Sequence, residues 1–127
     1  KATPAVGFAL GMERLVLLLQ TLDLLPEAQP QTDIYLMALG ESAELAAVSI
    51  AESLRNELPE LRLMTHCGGG NLKKQMKKAD KSGAGLGLLL GETELAAGEI
   101  TLKWLREEKP QQNIKLTELS AFIKQLV

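Results

Sequence analysis

The chain has 127 residues, room for one ordinary domain and not two. Apolar types make up 46% of it, enough for a buried core, so a disordered tail is excluded. Lys plus Arg total 14 and Asp plus Glu total 16; the net charge of -2 excludes a uniformly basic coat but leaves room for a local basic patch.

Aromatic residues are only 3%, too few for a platform that stacks several bases. Cys67 is the single cysteine, so neither an intrachain disulfide nor a thiolate-rich metal cluster can form. A reducing compartment suits that composition. The longest apolar runs, 15–19 and 84–90, fall far short of the roughly 20 residues that cross a bilayer. No membrane partner is expected. Glu13 and Arg14 interrupt the first apolar run, which makes a poor signal peptide. The chain does not begin with Met and reads as a piece of something longer.

In chain order, residues 5–10 have the character of a short buried strand. Residues 12–22 favour helix, with apolar side chains pointing nearly every way. Such a helix belongs inside a larger core or an interface. Residues 1–26 are therefore expected to be the last piece of another domain. The stretch PEAQPQT carries two prolines and marks a boundary, with a linker over 27–32 and a compact domain over 33–127.

Residues 33–39, DIYLMAL, read as a buried strand ended by Gly40. A helix follows over 41–58, with Ala47, Ile50, Ala51, Leu54 and Leu58 on one face, and Pro59 stops it. Residues 61–65 form a second strand. Gly68, Gly69 and Gly70 make a flexible or tightly turned loop. Asn71 caps the next helix, which runs to about Ser82 with Gly83 as C-cap. Residues 84–90 form a third strand, whose glycines signal close backbone packing rather than dinucleotide binding. Residues 92–97 are a connection. Residues 99–105 alternate loosely, as an edge or next-to-edge strand does, and 106–112 are a charged turn. Residues 113–116 are a short strand, and Thr117 caps a last helix with Leu119, Phe122, Ile123 and Leu126 on one face. This order predicts an α/β fold. It is a three-layer mixed β-sheet of about five strands flanked by helices, parallel first and antiparallel where the later strands join.

The strongest local clue is the helix after the glycines. Lys73, Lys74, Lys77, Lys78 and Lys81 fall within an arc of about 140°. Leu72, Met76 and Ala79 fall opposite, to pack on the sheet. Such a cationic face fits phosphate contact with a nucleic-acid strand, although on sequence alone an ordinary solvated lysine face is the favoured reading. The backbone amides of Gly69, Gly70 and Asn71 at the helix start add a possible anion site. Neither Walker A nor dinucleotide-loop spacing is present. Glu92 and Glu94 flank a strand end, where carboxylates can accept from base edges, although a solvated acidic turn is the more ordinary reading. His66 and Cys67 read as loop residues without a chemical role, and no further His exists for a zinc site. Trp104 reads as a sheet anchor. Glu13 and Arg14 are a charged pair among apolar residues, and an arginine there suits a phosphate.

The run ATPAVGFALGMERLVLLL, residues 2–19, closely resembles the third signature motif of class II aminoacyl-tRNA synthetases in its histidyl form. DIYLMALG, LRNELPELRLMTHCGGGNLKKQMKKADKSGA and LLLGETELAAGEITLK resemble the C-terminal anticodon-binding domain of the bacterial enzyme, in the family's order. The resemblance implies a five-stranded mixed sheet from Asp33 onward, and residues 1–26 as a remnant of the catalytic domain. It implies that Arg14 contacts ATP phosphates in the parent, and that Gly11 lets the nucleotide approach the backbone. It implies a cytoplasmic, homodimeric parent that uses ATP and Mg²⁺ to attach histidine to its tRNA. The first two class II motifs and the histidine pocket are absent from this chain, so it is expected to be inactive alone and to hold no cofactor.

Two function classes follow. The first is binding of the histidine tRNA anticodon stem-loop, with Asn71, Lys73, Lys74, Lys77, Lys78, Lys81, Glu92 and Glu94 as candidate contacts and no DNA partner. The second is a protein–protein or regulatory module of the same fold, docking through the apolar N-terminal helix. A free-standing catalytic domain has no convergent acid, base or nucleophile to support it.

Overall fold

The computed structural model describes residues 1–26 and 32–126. The two most continuously apolar stretches of the domain pair with each other. β1 (Ile34–Leu39) runs parallel to β3 (Leu86–Gly91), with Ile34 opposite Leu86 and Leu39 opposite Gly91. A strand covered on both faces is apolar at nearly every position, which these two are. β2 (Leu63–Thr65) lies parallel on the far side of β1. β4 (Glu99–Trp104) joins β3 antiparallel and β5 (Gln112–Lys115) joins β4 antiparallel, so the order is β2-β1-β3-β4-β5. The expected five-stranded mixed sheet is what forms, with β4 next to the edge.

The sheet separates two unequal cores. On one face Ile34, Leu36, Leu88, Leu90, Ile100 and Leu102 meet α2 (Glu41–Glu57), α4 (Glu92–Ala97) and α5 (Leu119–Leu126). α2 approaches closely because three of its four buried positions are the alanines Ala43, Ala47 and Ala51, with Leu54 the fourth. Each large aliphatic side chain buried here contributes about 2 kcal/mol. On the other face Tyr35, Met37, Ala79 and Ala84 form a smaller core under α3 (Leu72–Lys81). Gly87 serves that core: a Cβ there would lie 3.1 Å from Met37 Cε and 3.4 Å from Leu105 Cδ2. Close packing thus accounts for Gly87 but not for the glycines before it: a Cβ on Gly85 would meet only the Asp33 carbonyl at 4.0 Å, and one on Gly83 would meet nothing within 4 Å.

The starts of β1 and β2 are tied by charge. The Asp33 carboxylate accepts from the Arg62 backbone N–H at 2.9 Å, from Nε at 3.1 Å and from Nη2 at 2.6 Å. The Arg62 side-chain bonds hold the Asp33 carboxyl below its ordinary value, against the opposing pull of burial. Along β2, Ile34 N–H donates to the Arg62 carbonyl and His66 N–H to the Leu36 carbonyl, so Arg62 and His66 turn toward β1. Leu63 and Thr65 turn outward. The Leu63 carbonyl accepts from Arg55 Nη2 at 3.1 Å, and the Thr65 carbonyl from the Cys67 thiol at 3.6 Å.

Four expectations need correction. Residues 5–10 form no strand, because no described neighbour takes their backbone groups; Val6 is 99% and Phe8 88% exposed. The connection at 92–97 is the helix α4, ended by Gly98 at φ 69°, a left-handed stop. Thr117 does not cap α5. It sits inside a 3-10 turn, Leu116–Glu118, whose first carbonyls feed directly into the helix. Leu72 stays 40% exposed, and Gln75, fully buried, takes its place against the sheet. α1 (Met12–Thr21) forms as expected, one residue shorter, and none of residues 1–26 is buried. Of the linker at 27–32, residues 27–31 lie outside the described residues and Thr32 is buried.

Candidate nucleic-acid interface

α3 begins where its sequence says it should. The Asn71 side chain accepts from the Lys74 backbone N–H at 3.0 Å, an N-cap bond. Ala79 and Gln75 are buried and Met76 is half-buried. Lys73, Lys74, Lys77, Lys78 and Lys81 are all exposed, and among the described residues none is in an ion pair. The first turn holds no acidic residue. Two lysines therefore stand at the positive end of the helix dipole, an arrangement that costs stability until an anion arrives. Lys78 and Lys81 also wall a groove of about 480 Å³ against Met64, Thr65 and Cys67 of the β2 edge.

Gln75 explains how a lysine-rich helix is held. β2 ends at Thr65, so the N–H and C=O of Ala38 that face its side have no strand partner. The Gln75 amide supplies both, with Oε1 3.2 Å from the Ala38 N–H nitrogen and Nε2 2.7 Å from the Ala38 oxygen. Nε2 also donates to the Gly70 carbonyl at 3.0 Å. A side chain thus replaces one rung of the sheet.

The glycine loop has φ values of 93°, 57° and 106° at Gly68, Gly69 and Gly70, all left-handed. His66 ties it to the sheet, with Nε2 2.9 Å from the Gly69 carbonyl and Nδ1 2.9 Å from the Tyr35 hydroxyl. A carbonyl only accepts, so Nε2 carries the proton and Tyr35 O–H donates to Nδ1. Burial, and secondarily the nearby Cys67, pushes the Tyr35 hydroxyl up, which keeps it a donor.

The carboxyl ends of β1, β2 and β3 bring several expected residues to one rim. This is the crevice of an open α/β sheet, where successive crossovers part to opposite faces. Asn71, Lys74 and the glycine loop lie on it. Glu92 lies over Gly40: a Cβ at Gly40, where φ is 100°, would fall 2.7 Å from the Glu92 carboxylate. Glu94 folds back over Gly91. Both glutamates also sit in the first turn of α4, where negative charge is favoured. Lys77, Lys78 and Lys81 run away from the rim along the outer face of α3, and α4 packs on the opposite face of the sheet. The lysines and the two glutamates therefore form two patches that meet only at the rim.

Sequence reading missed a third surface. Beyond α3, the same face of β4 and β5 carries Glu99, Lys103, Asn113 and Lys115 in register, over a buried Thr101. Thr101 O–H donates to Asn113 Oδ1 at 2.9 Å, and Asn113 Nδ2 to Glu99 at 3.4 Å. The alternation of EITLKW and QNIK was the available signal. Gly11 and Arg14 are exposed, and no other described side chain converges with them, so these two residues alone build no nucleotide pocket. No group of three His, Cys, Asp or Glu among the described residues could hold a metal ion.

A family model described as an anticodon binding domain matches residues 33–126. The chain belongs to the anticodon-binding domain family. Its domain superposes on the RNA binding domain of threonyl-tRNA synthetase from Cryptosporidium parvum Iowa II with a TM-score of 0.68 at 16% identity, over 75% of this chain and 23% of that one. Against apo histidyl-tRNA synthetase of S. aureus the TM-score is 0.67 at 25% identity, over 87% and 32%. Against histidyl-tRNA synthetase of Nostoc sp. PCC 7120 it is 0.69 at 24%, over 91% and 28%. The chain thus spans roughly a quarter to a third of the synthetase chains it matches. The lysine helix, the rim and the open face of β4–β5 are all parts of this anticodon-binding domain.

Proposed function

We propose that the domain binds the anticodon stem-loop of histidine tRNA as the C-terminal part of a histidine–tRNA ligase. The observation that carries the reading is α3: five exposed lysines, none in an ion pair among the described residues, two of them at the wrong end of the helix dipole, beside a glycine loop in left-handed conformation. Lys73, Lys74, Lys77, Lys78 and Lys81 hold the phosphodiester backbone. Glu92 and Glu94 at the rim, with Asn71, face unstacked bases, and the polar face of β4–β5 lies next to them.

In this reading residues 1–26 are a remnant of the catalytic domain, 27–32 a linker and 33–127 the anticodon-binding domain. Gly11 and Arg14 meet ATP phosphates only when the rest of that catalytic domain surrounds them. ATP and Mg²⁺ supply histidine activation in the parent, and this chain alone is inactive. The parent is a cytoplasmic homodimer that takes neither DNA nor membrane as partner.

A titration against histidine tRNA and a non-cognate tRNA over a range of salt tests the reading. Cognate binding is expected to be tighter, with a clear salt slope. Lys74→Glu with Lys78→Glu should lower that slope by about 1.5, the share of two phosphate contacts. Unchanged binding in the double variant removes α3 from the interface. The apolar α1, which has no buried residue, favours one other reading, a protein-docking module, which predicts association indifferent to salt.

A further inference from the structure

We infer that His66 is a positioning residue for tRNA binding: it fixes the Gly69–Gly70 peptide and, through Gly70, where Lys74 is presented to an RNA phosphate. The inference rests on the functional reading above. It begins with what the glycine loop lacks. Three residues without side chains, all at positive φ, have nothing of their own to hold one conformation. Nothing lies within 4 Å of a Cβ placed on Gly68. The loop is held from outside, by His66 on the Gly69 carbonyl and Gln75 on the Gly70 carbonyl.

The anchor behind His66 is firm. Its backbone N–H closes onto Leu36, extending the β1–β2 ladder by one bond. Its ring is held by Tyr35, which is 4% exposed near the start of β1. In a trans peptide the carbonyl of one residue and the N–H of the next point opposite ways. Drawing the Gly69 carbonyl inward to His66 therefore turns the Gly70 N–H outward. The Gln75 bond does the same to the Asn71 N–H. Neither amide has a backbone or side-chain acceptor among the described residues. Lys74 completes the chain of contact, because its Cδ lies 3.0 Å from the Cβ position of Gly70. Its stem rests on the peptide that His66 sets. A rotated peptide would put a carbonyl where the phosphate goes and shift the lysine off it.

The test uses the full chain and three variants. His66→Phe keeps the ring volume and removes both nitrogens. His66→Gln restores a donor and an acceptor about as far apart as the two ring nitrogens. Tyr35→Phe removes only the hydroxyl. For His66→Phe we expect affinity for histidine tRNA to fall about tenfold, with the salt slope reduced by about 0.8, the share of one phosphate contact. His66→Gln should recover most of both. His66 is the only histidine, so one ¹⁵N-imidazole pattern reports its state without overlap. The wild type should show the Nε2–H tautomer, and Tyr35→Phe should mix the tautomers while the fold persists. If His66→Phe does not fold, Tyr35→Phe carries the binding measurement, with a smaller loss expected. Wild-type affinity and slope in His66→Phe overturn the inference and leave the functional reading standing. Equal losses in the Phe and Gln variants, tracking their melting temperatures, also overturn it. A wild-type chain that binds no tRNA overturns the functional reading and this inference with it.

Discussion

Replacing Gln75 with leucine keeps the side-chain bulk and removes an amide that makes three hydrogen bonds. The Gly70 carbonyl is at an exposed rim and regains water. The Ala38 N–H and C=O do not, because Ala38 is 6% exposed and β2 has already ended beside it. Each buried backbone group left without a partner costs about 1–3 kcal/mol, so the pair costs about 4 kcal/mol. That is a large share of the about 5–15 kcal/mol that holds a domain folded. In urea, with a slope of about 1.5–2 kcal/mol/M, the midpoint should fall by about 2–3 M at constant slope. Gln75→Glu should be as damaging at neutral pH, since a carboxylate meets the Ala38 and Gly70 carbonyls, and should recover partly in acid, where a protonated carboxyl donates again. A loss below about 1 kcal/mol in Gln75→Leu would refute the idea that this amide replaces a rung of the sheet.

Two further perturbations separate the remaining parts of the fold. The Asp33 carboxyl is held below its ordinary value by Arg62, so its contribution is complete above about pH 4 and disappears as pH falls through the lowered value. Asp33→Asn should therefore melt lower than wild type at pH 7, with the two converging in acid; parallel melting curves across that range would contradict the assignment. Deleting residues 1–26, none of which is buried, should leave the melting temperature of the sheet domain within a few degrees and improve its solubility. Collapse on deletion would mean that α1 belongs to this core.

The strands and long helices were legible because burial writes itself into period. DIYLMAL and the one-sided alanines of α2 admit few other readings, and the spacing of the lysines alone marks the outer face of α3. What escaped was carried by polar residues acting at a distance. Gln75 looks like one more solvated position among lysines, and only the premature end of β2 makes it a core residue. Tyr35, His66 and Gly69 meet across more than thirty positions in sequence, so no spacing announces them. α4 was too short to show a helical period, although its acidic first turn and Gly98 were signals of one. Residues 5–10 show the converse error: apolar character predicts a strand, and a strand still requires a neighbour.

The bonds from Arg55 and Cys67 to the outer edge of β2 bear on how copies of this domain meet each other. An approaching chain that tried to extend the sheet there would look for acceptors at the Leu63 and Thr65 carbonyls and find both already engaged. With only three residues on offer, there is no second place along the strand to try. Neighbouring molecules crowded together during synthesis thus meet a short edge whose outward carbonyls are already occupied, which weakens it as a template for lateral polymerisation.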